Sequence, residues 1–475
     1  MINVDENKLR RQLVGHEKFK NSFKYGSHKN GIGTWEWVTG MGKTYATCLL
    51  INKILNKQKG NVLILVPRKV LKKQWEDTIK MLCKEDLDYI QVMTVDYYLY
   101  HKLNKQVLFL VADEIHLFYT QPRLNILAQK NCKYKFALGL TGTFKEKNKR
   151  HLIAAKYLPV IDKIYEEEAI ENGWISDYIE FNVGYNLEEN EQELYDDYSL
   201  AIKKGLDYFD NELNIKAFDL IVQCISNWDL CVEFAVSKGW SSSNTNNFDI
   251  NESYNPNKVM KKAIKILDYT RNRKNLLQHS KSKIEISLYF IKKFFNKKRI
   301  ITFSESTSFA DTLYRLTNKE LSSLNPLLED KEYCTLYHSN LETIMVGKKK
   351  YGKIRRKKEA IRKLELGEVN IIHTAKALDV GFDVSDMDMA IITSSSSDYN
   401  QQTQRGGRVK RKSKRGTVII INIYARGTKD YNTLKSRQKT LSPKRIYWIE
   451  DLDKVGLAYV NKEQDRLTNF INKCL

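Results

Sequence analysis

The sequence of 475 residues contains few cysteines, and they form no recognisable pattern. The seven cysteines are odd in number and scattered, and no two of them have C-x-x-C spacing. This usage argues against a disulfide framework or a zinc site and is typical of a reducing compartment. We therefore expect a cytoplasmic protein.

Long apolar runs are missing as well. The longest ones, such as VLILV, VLFLVA and VIIINIY, have the length of a strand and are too short to span a bilayer. The first residues, MINVDENKLRRQLVG, contain no apolar h-region, so we expect no signal peptide. A membrane is therefore not an expected partner.

Positive charge is what the sequence has in excess. It carries 79 Lys and Arg against 57 Asp and Glu, a formal charge of +22, and its pI is about 9.4. Such a surplus attracts phosphate polyanions, which makes nucleic acid the expected partner. The alternative is that the charge serves solubility alone. The length predicts two or three domains, and 42% hydrophobic residues are enough for packed cores.

Short apolar runs of this kind are typical of strands buried on both faces of a parallel sheet. Two sets of them occur, and the first alternates with helical stretches such as Thr44–Asn56 and Lys69–Leu82. The first set is Val62–Val66, Val107–Ala112 and Phe136–Leu140, and the second is Arg299–Phe303, Val369–Thr374, Met389–Thr393 and Val418–Ile423. The pattern predicts two α/β lobes with parallel sheets.

Between the two sets, residues 166–287 lack these recurring apolar runs and show helical patterns rich in acids. We predict a largely helical insertion there, with the positive charge concentrated in GKKKYGKIRRKK and RVKRKSKRG of the second lobe. The predicted division is a first lobe at 1–172, an insertion at 173–286, a second lobe at 287–440 and a tail at 441–475 that packs on the second lobe.

The stretch TGMGKT predicts a phosphate-binding loop between a strand and a helix. Gly40 and Gly42 let backbone N–H groups approach a phosphate at a helix N-terminus. Lys43 supplies an ammonium group for the β- and γ-phosphates, and Thr44 supplies a hydroxyl for Mg²⁺. The longer pattern G-x-x-x-x-G-K-[ST] has its first glycine where Trp37 stands, and a tight strand-to-helix turn is the alternative. The predicted nucleotide-binding residues are Thr39, Gly40, Met41, Gly42, Lys43, Thr44 and Tyr45.

A pair of acids follows the buried run VLFLVA directly. Unpaired charge at the end of a buried strand is costly, and a divalent cation would explain it. We predict that Asp113 holds Mg²⁺ together with Thr44, and that Glu114 orients and deprotonates the attacking water. The alternative is an acid pair that caps a helix.

TGMGKT, ADEIH and LTGT (Leu140–Thr143) resemble motifs I, II and III of the superfamily 2 helicases and translocases, in the DExH branch. RIITFSES, HTAKALDVGFDV and QQTQRGGRVKR resemble motifs IV, V and VI, in that order. The resemblance extends from roughly Leu9 to Tyr431. It implies two RecA-like lobes, ATP and Mg²⁺ as cofactors, and an ATPase stimulated by nucleic acid.

The second lobe carries further residues that this resemblance implicates. Gln404, Arg408 and Arg411 match the glutamine and paired arginines of motif VI, which in the family reach the γ-phosphate from the opposite lobe. An arginine fork suits charge spread over phosphate oxygens. Gly381 and Asp383 match the G-x-D of motif V, which lies at the ribose side of the nucleotide.

The resemblance also implies which residues meet the nucleic acid and which link it to the nucleotide. The linking residues would be His116, Thr141, Gly142 and Thr143. The residues that match contacts to the sugar–phosphate backbone are Pro67, Arg68, Lys69, Thr94, Ser304 and Thr374. Backbone contacts carry no base readout, so binding should be independent of sequence and steeply dependent on salt.

The segment that reads adenine in relatives is degenerate here. Relatives begin with a stretch similar to L-R-x-Y-Q. Gln12 has a fitting neighbourhood but lies far upstream of Lys43, and the better-spaced position holds Glu17. ATP is therefore implied by the family rather than by these residues.

Three tyrosines, Tyr97, Tyr98 and Tyr100, lie close to Thr94. Base stacking is one interpretation of such a run. Ordinary packing of a helix or strand is the interpretation that we favour.

The passage after motif III, IYEEEAIENGWISDYIEF, resembles that of the branch-migration, repair and Swi/Snf-like DNA motors. DEIH, TGT and QRGGR differ from the corresponding motifs of DEAD-box proteins, which favours DNA over RNA. The compact length and the many Lys and Asn residues resemble small motors of phages or mobile elements. The compartment would then be a bacterial or infected-host cytoplasm.

The sequence thus predicts an ATP-dependent DNA helicase or duplex-DNA translocase that acts in replication, recombination or repair. One alternative is the motor subunit of a restriction-type or other complex, with a protein partner that supplies a nuclease or targeting function. An RNA helicase and a nucleic-acid-binding protein with an inactive motor are the others. An inactive motor is disfavoured because the chain keeps Lys43, Asp113, Glu114, Arg408 and Arg411.

Overall fold

The computed structural model describes residues 5–22, 31–142, 151–241, 255–324, 331–346, 349–375, 387–393, 417–438, 443–450 and 452. The chain forms two compact units. The larger unit comprises Met1–Val183, Tyr289–Asn422 and Thr433–Leu475, and the smaller one comprises Gly184–Leu288 and Ile423–Asn432.

The first sheet of the larger unit has six strands in the order β3-β2-β4-β5-β1-β6. The strands are β1 (Ile32–Trp37), β2 (Val62–Val66), β3 (Ile90–Thr94), β4 (Lys105–Asp113), β5 (Cys132–Thr141) and β6 (Val160–Ile164). The helices are α1 (Glu6–Lys20), α2 (Lys43–Lys57), α3 (Lys69–Leu82), α4 (Val95–Tyr100), α5 (Gln121–Leu127), α6 (His151–Ala155) and α7 (Glu166–Glu171). Every pairing is parallel, so all carboxyl ends meet at one edge.

Strand β2 shows why its sequence is apolar throughout. Val62, Ile64 and Val66 belong to one hydrophobic core, and Leu63 and Leu65 belong to another. Successive side chains of a strand point to opposite faces, so the sheet is covered on both sides. The predicted strands of the first lobe are confirmed.

The second sheet has seven strands in the order β15-β7-β14-β13-β8-β12-β9. The strands are β7 (Tyr178–Tyr185), β8 (Ile300–Ser304), β9 (Cys334–His338), β12 (Ile371–Ala375), β13 (Met389–Ile392), β14 (Val418–Ala425) and β15 (Ile446–Ile449). A separate antiparallel pair, β10 (Ile344–Val346) and β11 (Lys349–Tyr351), precedes a basic helix. The two parallel sheets confirm the predicted fold class.

Strand β7 was not among the predicted strands, and the sequence division assigns its residues to the insertion. It lies between β14 and β15 although it precedes both by a long stretch of chain. Its polar residues are buried in a network of hydrogen bonds, which hides the strand from hydropathy. Glu180 accepts from Gln438 (2.8 Å) and Asn422 (3.2 Å), and Asn182 donates to Gln438 (2.7 Å).

The helices between β7 and β9 include those of the smaller unit. They are α8 (Glu189–Asp207), α9 (Phe218–Gln223), α10 (Trp228–Val236), α11 (Pro256–His279), α12 (Lys281–Phe294) and α13 (Thr307–Ser323), and α14 (Lys353–Glu365) and α15 (Lys429–Gln438) follow later. Within the smaller unit, buried Lys283 pairs with Asp430 at 3.0 Å. The boundaries at 172, 286 and 440 stay predictions. Among the described residues, none of the helices is long and apolar enough to cross a membrane.

Candidate nucleotide site

The phosphate-binding loop lies at the carboxyl end of β1, where the chain turns into α2. Gly40 and Gly42 have φ angles of +97° and +77°, a region that glycine adopts without strain. Gly42 is the N-cap residue of α2, so the first N–H groups of that helix point toward the loop. The two glycines therefore shape a loop at a helix N-terminus, and their role toward a phosphate stays a prediction.

Trp37, which replaces the first glycine of the longer pattern, is a buried residue of β1. Its indole N–H donates to Asp162 at 2.8 Å, and its ring stacks on Trp35 with 4.3 Å between centroids. Its carbonyl oxygen accepts a hydrogen bond from Lys43 Nζ at 3.0 Å. The tryptophan thus packs in the core, and its backbone lies within reach of the loop lysine.

The predicted acid pair lies at the carboxyl end of β4, and β5 separates β4 from β1 in the sheet. In the register of the sheet, Leu140 of β5 is the partner of Asp113 in β4 on one side and of Trp35 in β1 on the other. Asp113 is buried, and burial together with the adjacent Glu114 carboxylate raises its pKa to about 6. Lys43 opposes this effect through its charge. A divalent cation would favour the ionised form, and the buried carboxylate fits such an ion.

Trp75 is a residue of this site that the sequence did not identify. It is buried in α3, and its indole N–H donates to Asp113 Oδ2 at 2.9 Å. The other carboxylate oxygen accepts from the backbone N–H of Glu114 at 3.0 Å. A helix that begins at Lys69 therefore fixes the orientation of the carboxylate at the end of β4.

Glu114 has a strained backbone, with φ +51° and ψ +53° in the left-handed region. This conformation costs a non-glycine residue free energy, and such residues cluster at functional sites. Its carboxylate lies 3.3 Å from His116 Nδ1, and the same nitrogen lies 3.1 Å from Thr141 Oγ1. Gly142 follows directly, and a Cβ there would lie 3.0 Å from Thr39 Oγ1. His116 and Thr141 thus lie beside the acid pair and Gly142 lies beside the loop, and their linking role stays a prediction.

Helix α1 contacts the loop through one stripe of side chains. Lys8 Nζ donates to Gly40 O at 2.7 Å, and Gln12 Nε2 donates to Met41 O at 2.7 Å. His16 Nε2 lies 2.9 Å from Ala46 O. Gln12 is buried at the loop, whereas the side chain of Glu17, the better-spaced residue, is 60% exposed.

Asp162 holds α1 against β6. Its carboxylate accepts two hydrogen bonds from Arg11 (2.8 and 3.0 Å), one from Lys18 (2.7 Å) and one from Trp37 (2.8 Å). Burial alone would raise the pKa of Asp162, but the two cations outweigh it and lower that pKa. Gly15 permits the contact, because a Cβ there would lie 2.3 Å from the Trp37 ring.

The predicted nucleic-acid residues of the first lobe lie at the same sheet edge. Arg68 and Lys69 are exposed where α3 begins, and Pro67 precedes them. Thr94 ends β3 and is paired in register with Val66, which ends the adjacent strand β2 directly before Pro67. Thr94 Oγ1 accepts from Tyr97 N at 3.3 Å and caps α4.

Ser304 ends β8, and Thr374 is the second-last residue of the neighbouring strand β12. Both side chains are buried. Ser304 Oγ donates to Thr374 O at 2.9 Å, and Thr374 Oγ1 donates to Thr302 O at 2.6 Å. Either hydroxyl would have to leave its carbonyl partner to reach a phosphate, and their role stays a prediction.

Six of the predicted site residues lie outside the described residues. They are Thr143, Gly381, Asp383, Gln404, Arg408 and Arg411. In the part of the chain that is described, no cluster of three or more His, Cys, Asp or Glu side chains could hold a metal ion. Mg²⁺ typically takes only one or two carboxylates and completes its shell with phosphates and water.

A glycine loop at a helix N-terminus, with an acid pair two strands away in a parallel sheet, defines a P-loop nucleotide hydrolase with RecA-like lobes. Comparisons with known proteins extend this assignment. Residues 8–146 match the family described as type III restriction enzyme, res subunit, and residues 282–413 match the helicase conserved C-terminal domain.

One curated relative is a DNA 3'-5' translocase, XPB2, of Sulfurisphaera tokodaii. It is 24% identical over 414 residues, which cover 84% of this chain and 79% of the relative. The fold is similar to that of the Pyrococcus furiosus Hef helicase domain (TM-score 0.51, 16% identity, 90% of this chain and 98% of the other). It is also similar to S. cerevisiae Dbp5 bound to RNA and ADP BeF3 (TM-score 0.51, 12% identity, 97% of each chain).

The chain belongs to the superfamily 2 helicases and translocases. It is an enzyme that hydrolyses ATP and acts on nucleic acid. The sequence predictions of family and enzyme class are confirmed.

Proposed function

We propose that the protein is a DNA motor, a helicase or duplex translocase that couples ATP hydrolysis to movement along DNA in a reducing cytoplasm. The observation that carries the proposal is the convergence of the loop lysine, the acid pair and the His116–Thr141 contact at one sheet edge. DNA rather than RNA is supported by the relative that is named a DNA translocase.

In this mechanism the N–H groups at the start of α2 bind the phosphates of ATP. Lys43 leaves the Trp37 carbonyl and donates to the β- and γ-phosphates. Asp113 and Thr44 would hold Mg²⁺, which would neutralise charge on the phosphates when bound. Gln12, which donates to Met41 O of the loop, is the side chain that we assign to the base.

Glu114 accepts the proton of the attacking water, and its strained backbone keeps the carboxylate in one orientation. Gln404, Arg408 and Arg411 act from the second lobe, where the arginine forks stabilise charge on the γ-phosphate. Gly381 and Asp383 contact the ribose side. Because the sequence assigns these residues to the second lobe, we expect turnover to depend on closure of the lobes.

The nucleic-acid track begins at Arg68 and Lys69, which follow β2, and at Thr94, which ends the neighbouring strand β3. It continues at the second lobe. His116, Thr141, Gly142 and Thr143 link this track to Glu114. Backbone contacts of this kind predict binding that does not depend on sequence and that weakens steeply with salt.

Steady-state ATPase activity tests the proposal. The wild type and Lys43→Ala are compared without nucleic acid and with single-stranded DNA, duplex DNA, a branched junction and RNA, at low and moderate salt. We expect stimulation by DNA that the Lys43→Ala variant lacks. Stimulation by RNA alone would replace DNA with RNA in the proposal, and no wild-type activity on any substrate would refute a motor that acts alone.

A second candidate is the motor subunit of a multi-protein complex. The match of residues 8–146 to a restriction-enzyme subunit supports it. A nuclease or targeting partner would then be required for full activity. ATPase activity that appears only after addition of a lysate fraction from the native host, and not with DNA alone, would favour this candidate.

A further inference from the structure

Helix α4 has an outer face made of aromatic rings. Tyr97, Tyr100 and His101 are spaced i, i+3 and i+4, which places them on one side of a helix. Tyr97 is 52% exposed and Tyr100 is 82% exposed. His101 lies between them, with its ring 4.2 Å from Tyr97 and 5.1 Å from Tyr100.

The inner face of the same helix already supplies what the fold requires. Val95 and Tyr98 are fully buried in a core of the first sheet. The Tyr98 hydroxyl donates to Asn131 O at 2.6 Å. Packing therefore accounts for Tyr98, as the sequence favoured, but it does not account for the two exposed rings. A contiguous exposed aromatic patch of this kind is typical of an interaction site.

The position of the patch indicates its partner. The backbone N–H of Tyr97 donates to Thr94 Oγ1, so the aromatic face begins directly at the end of β3. The neighbouring strand β2 leads into Arg68 and Lys69, which are exposed. These are the residues of the proposed nucleic-acid track, so the rings continue a positively charged edge. A strand whose phosphates follow that edge would pass the exposed rings.

We propose that Tyr97, Tyr100 and His101 form a stacking platform for the bases of unpaired DNA. The inference rests on the proposed function, and it adds a contact to bases where the track itself contacts only the backbone. Every base has an aromatic face, so the platform accepts any sequence. It discriminates single-stranded from duplex DNA, because the bases of a duplex are already stacked and paired.

Substitutions separate the ring from other roles of these residues. Tyr97→Ala and Tyr100→Ala remove one ring each, and Tyr97→Phe and Tyr100→Phe remove only the hydroxyl. The matched control is Tyr89→Ala, because Tyr89 is an exposed tyrosine that precedes β3, at the opposite edge of the same sheet. Circular dichroism and thermal unfolding show whether each variant is folded.

Binding is measured by fluorescence anisotropy with a labelled single-stranded oligonucleotide and a labelled duplex, over a series of salt concentrations. We expect each alanine variant to bind the single strand roughly tenfold more weakly, a factor within the range of one lost stacking contact. Affinity for the duplex should change less than twofold. The salt dependence should keep its slope, because no phosphate contact is lost. The phenylalanine variants and Tyr89→Ala should bind as the wild type does.

A second measurement detects the stacking itself. The base analogue 2-aminopurine, placed at successive positions of the oligonucleotide, should be quenched on binding at one or two positions, and this quenching should disappear in Tyr100→Ala. Unchanged affinity and quenching in both alanine variants would overturn the platform. So would phenylalanine variants as weak as the alanine ones, since the hydroxyl would then be the contact. DNA-stimulated ATPase activity of the wild type is scored separately, so the platform can fail while the motor stands.

Discussion

The hydrogen bond between Trp75 and Asp113 makes a prediction about Mg²⁺. Trp75→Phe keeps an aromatic ring but removes the donor to Asp113 Oδ2. A hydrogen bond to a charged group contributes about 1.5–3 kcal/mol, and the backbone N–H of Glu114 remains on the other oxygen. The carboxylate therefore stays partly satisfied but loses its fixed orientation.

If Asp113 holds Mg²⁺, the loss of its fixed orientation should weaken the binding of Mg²⁺. An effect of about 1.4 kcal/mol corresponds to a factor of ten, so the Mg²⁺ concentration for half-maximal ATPase activity should rise about tenfold or more. The assay is a Mg²⁺ titration of ATPase activity at fixed ATP, with and without DNA.

Trp174→Phe is the matched control. Trp174 is buried in the same core as Trp75, but within the described part of the chain its indole nitrogen has no hydrogen-bond partner. Both substitutions leave a similar void, so both should lower the melting temperature. Only Trp75→Phe should change the Mg²⁺ requirement. Equal Mg²⁺ curves for the two variants would refute the assigned role of Trp75.

Three further predictions concern the first lobe. Glu114→Gln should retain ATP in a filter-binding assay while turnover falls about a hundredfold or more, and normal turnover would exclude Glu114 as the base. Asp162→Asn should lower the free energy of unfolding by about 3 kcal/mol, because buried Arg11 keeps only Glu168 and half-exposed Lys18 loses the carboxylate that it pairs with. The exposed Glu76→Gln should cost less than about 1 kcal/mol, and equal losses would contradict this account. Burial lowers the pKa of His16 to about 4, below its ordinary 6.5, so the unfolded state binds the proton more readily and stability is lost as the pH falls from about 6.5 to 4. The pH-dependent loss in the free energy of unfolding is up to about 3 kcal/mol, and denaturant titrations at several pH values should show that it disappears in His16→Gln. His101→Gln should keep it. The same pH dependence in His16→Gln as in the wild type would show that His16 is not its cause.

Much of the fold could be predicted because parallel strands buried on both faces have an unambiguous composition. Val62–Val66 is a strand at the predicted bounds, and the predicted Lys69–Leu82 is a helix at the predicted bounds. Strand β7 could not be predicted from hydropathy, because Glu180 and Asn182 appear solvent-facing until their amide partners are known. Those partners lie far away in the sequence.

The candidate site shows the same division. The loop and the acid pair follow from local sequence, because the chemistry of phosphate binding requires glycines and a lysine at fixed spacing. The contribution of α1 did not follow, although Lys8, Gln12 and His16 have helical spacing of four residues. Their partners are mostly backbone carbonyls at the loop, and every residue has such a carbonyl, so the sequence does not indicate these contacts. Trp75 was missed for a related reason, since a buried tryptophan in a helix is ordinarily a core residue.

The place of β7 in the second sheet determines the order in which the protein can fold during synthesis. More than two hundred residues separate the end of β7 from the start of β14, its neighbour. At about 5–20 residues per second, the ribosome needs roughly 10 to 50 s to make that partner. During this time the backbone N–H and C=O groups of β7 have no partner strand, although the strand is fully buried in the finished protein.

The same arrangement means that the second lobe is not a contiguous piece of chain, because β7 lies at residues 178–185 and its other six strands lie between residues 300 and 449. A fragment that starts at residue 287 lacks the strand that joins β14 to β15, and a fragment that ends at 185 carries a strand without its sheet. We expect either fragment to aggregate when expressed alone. Supplying residues 178–185 ahead of 287 through a flexible linker should restore a soluble second lobe.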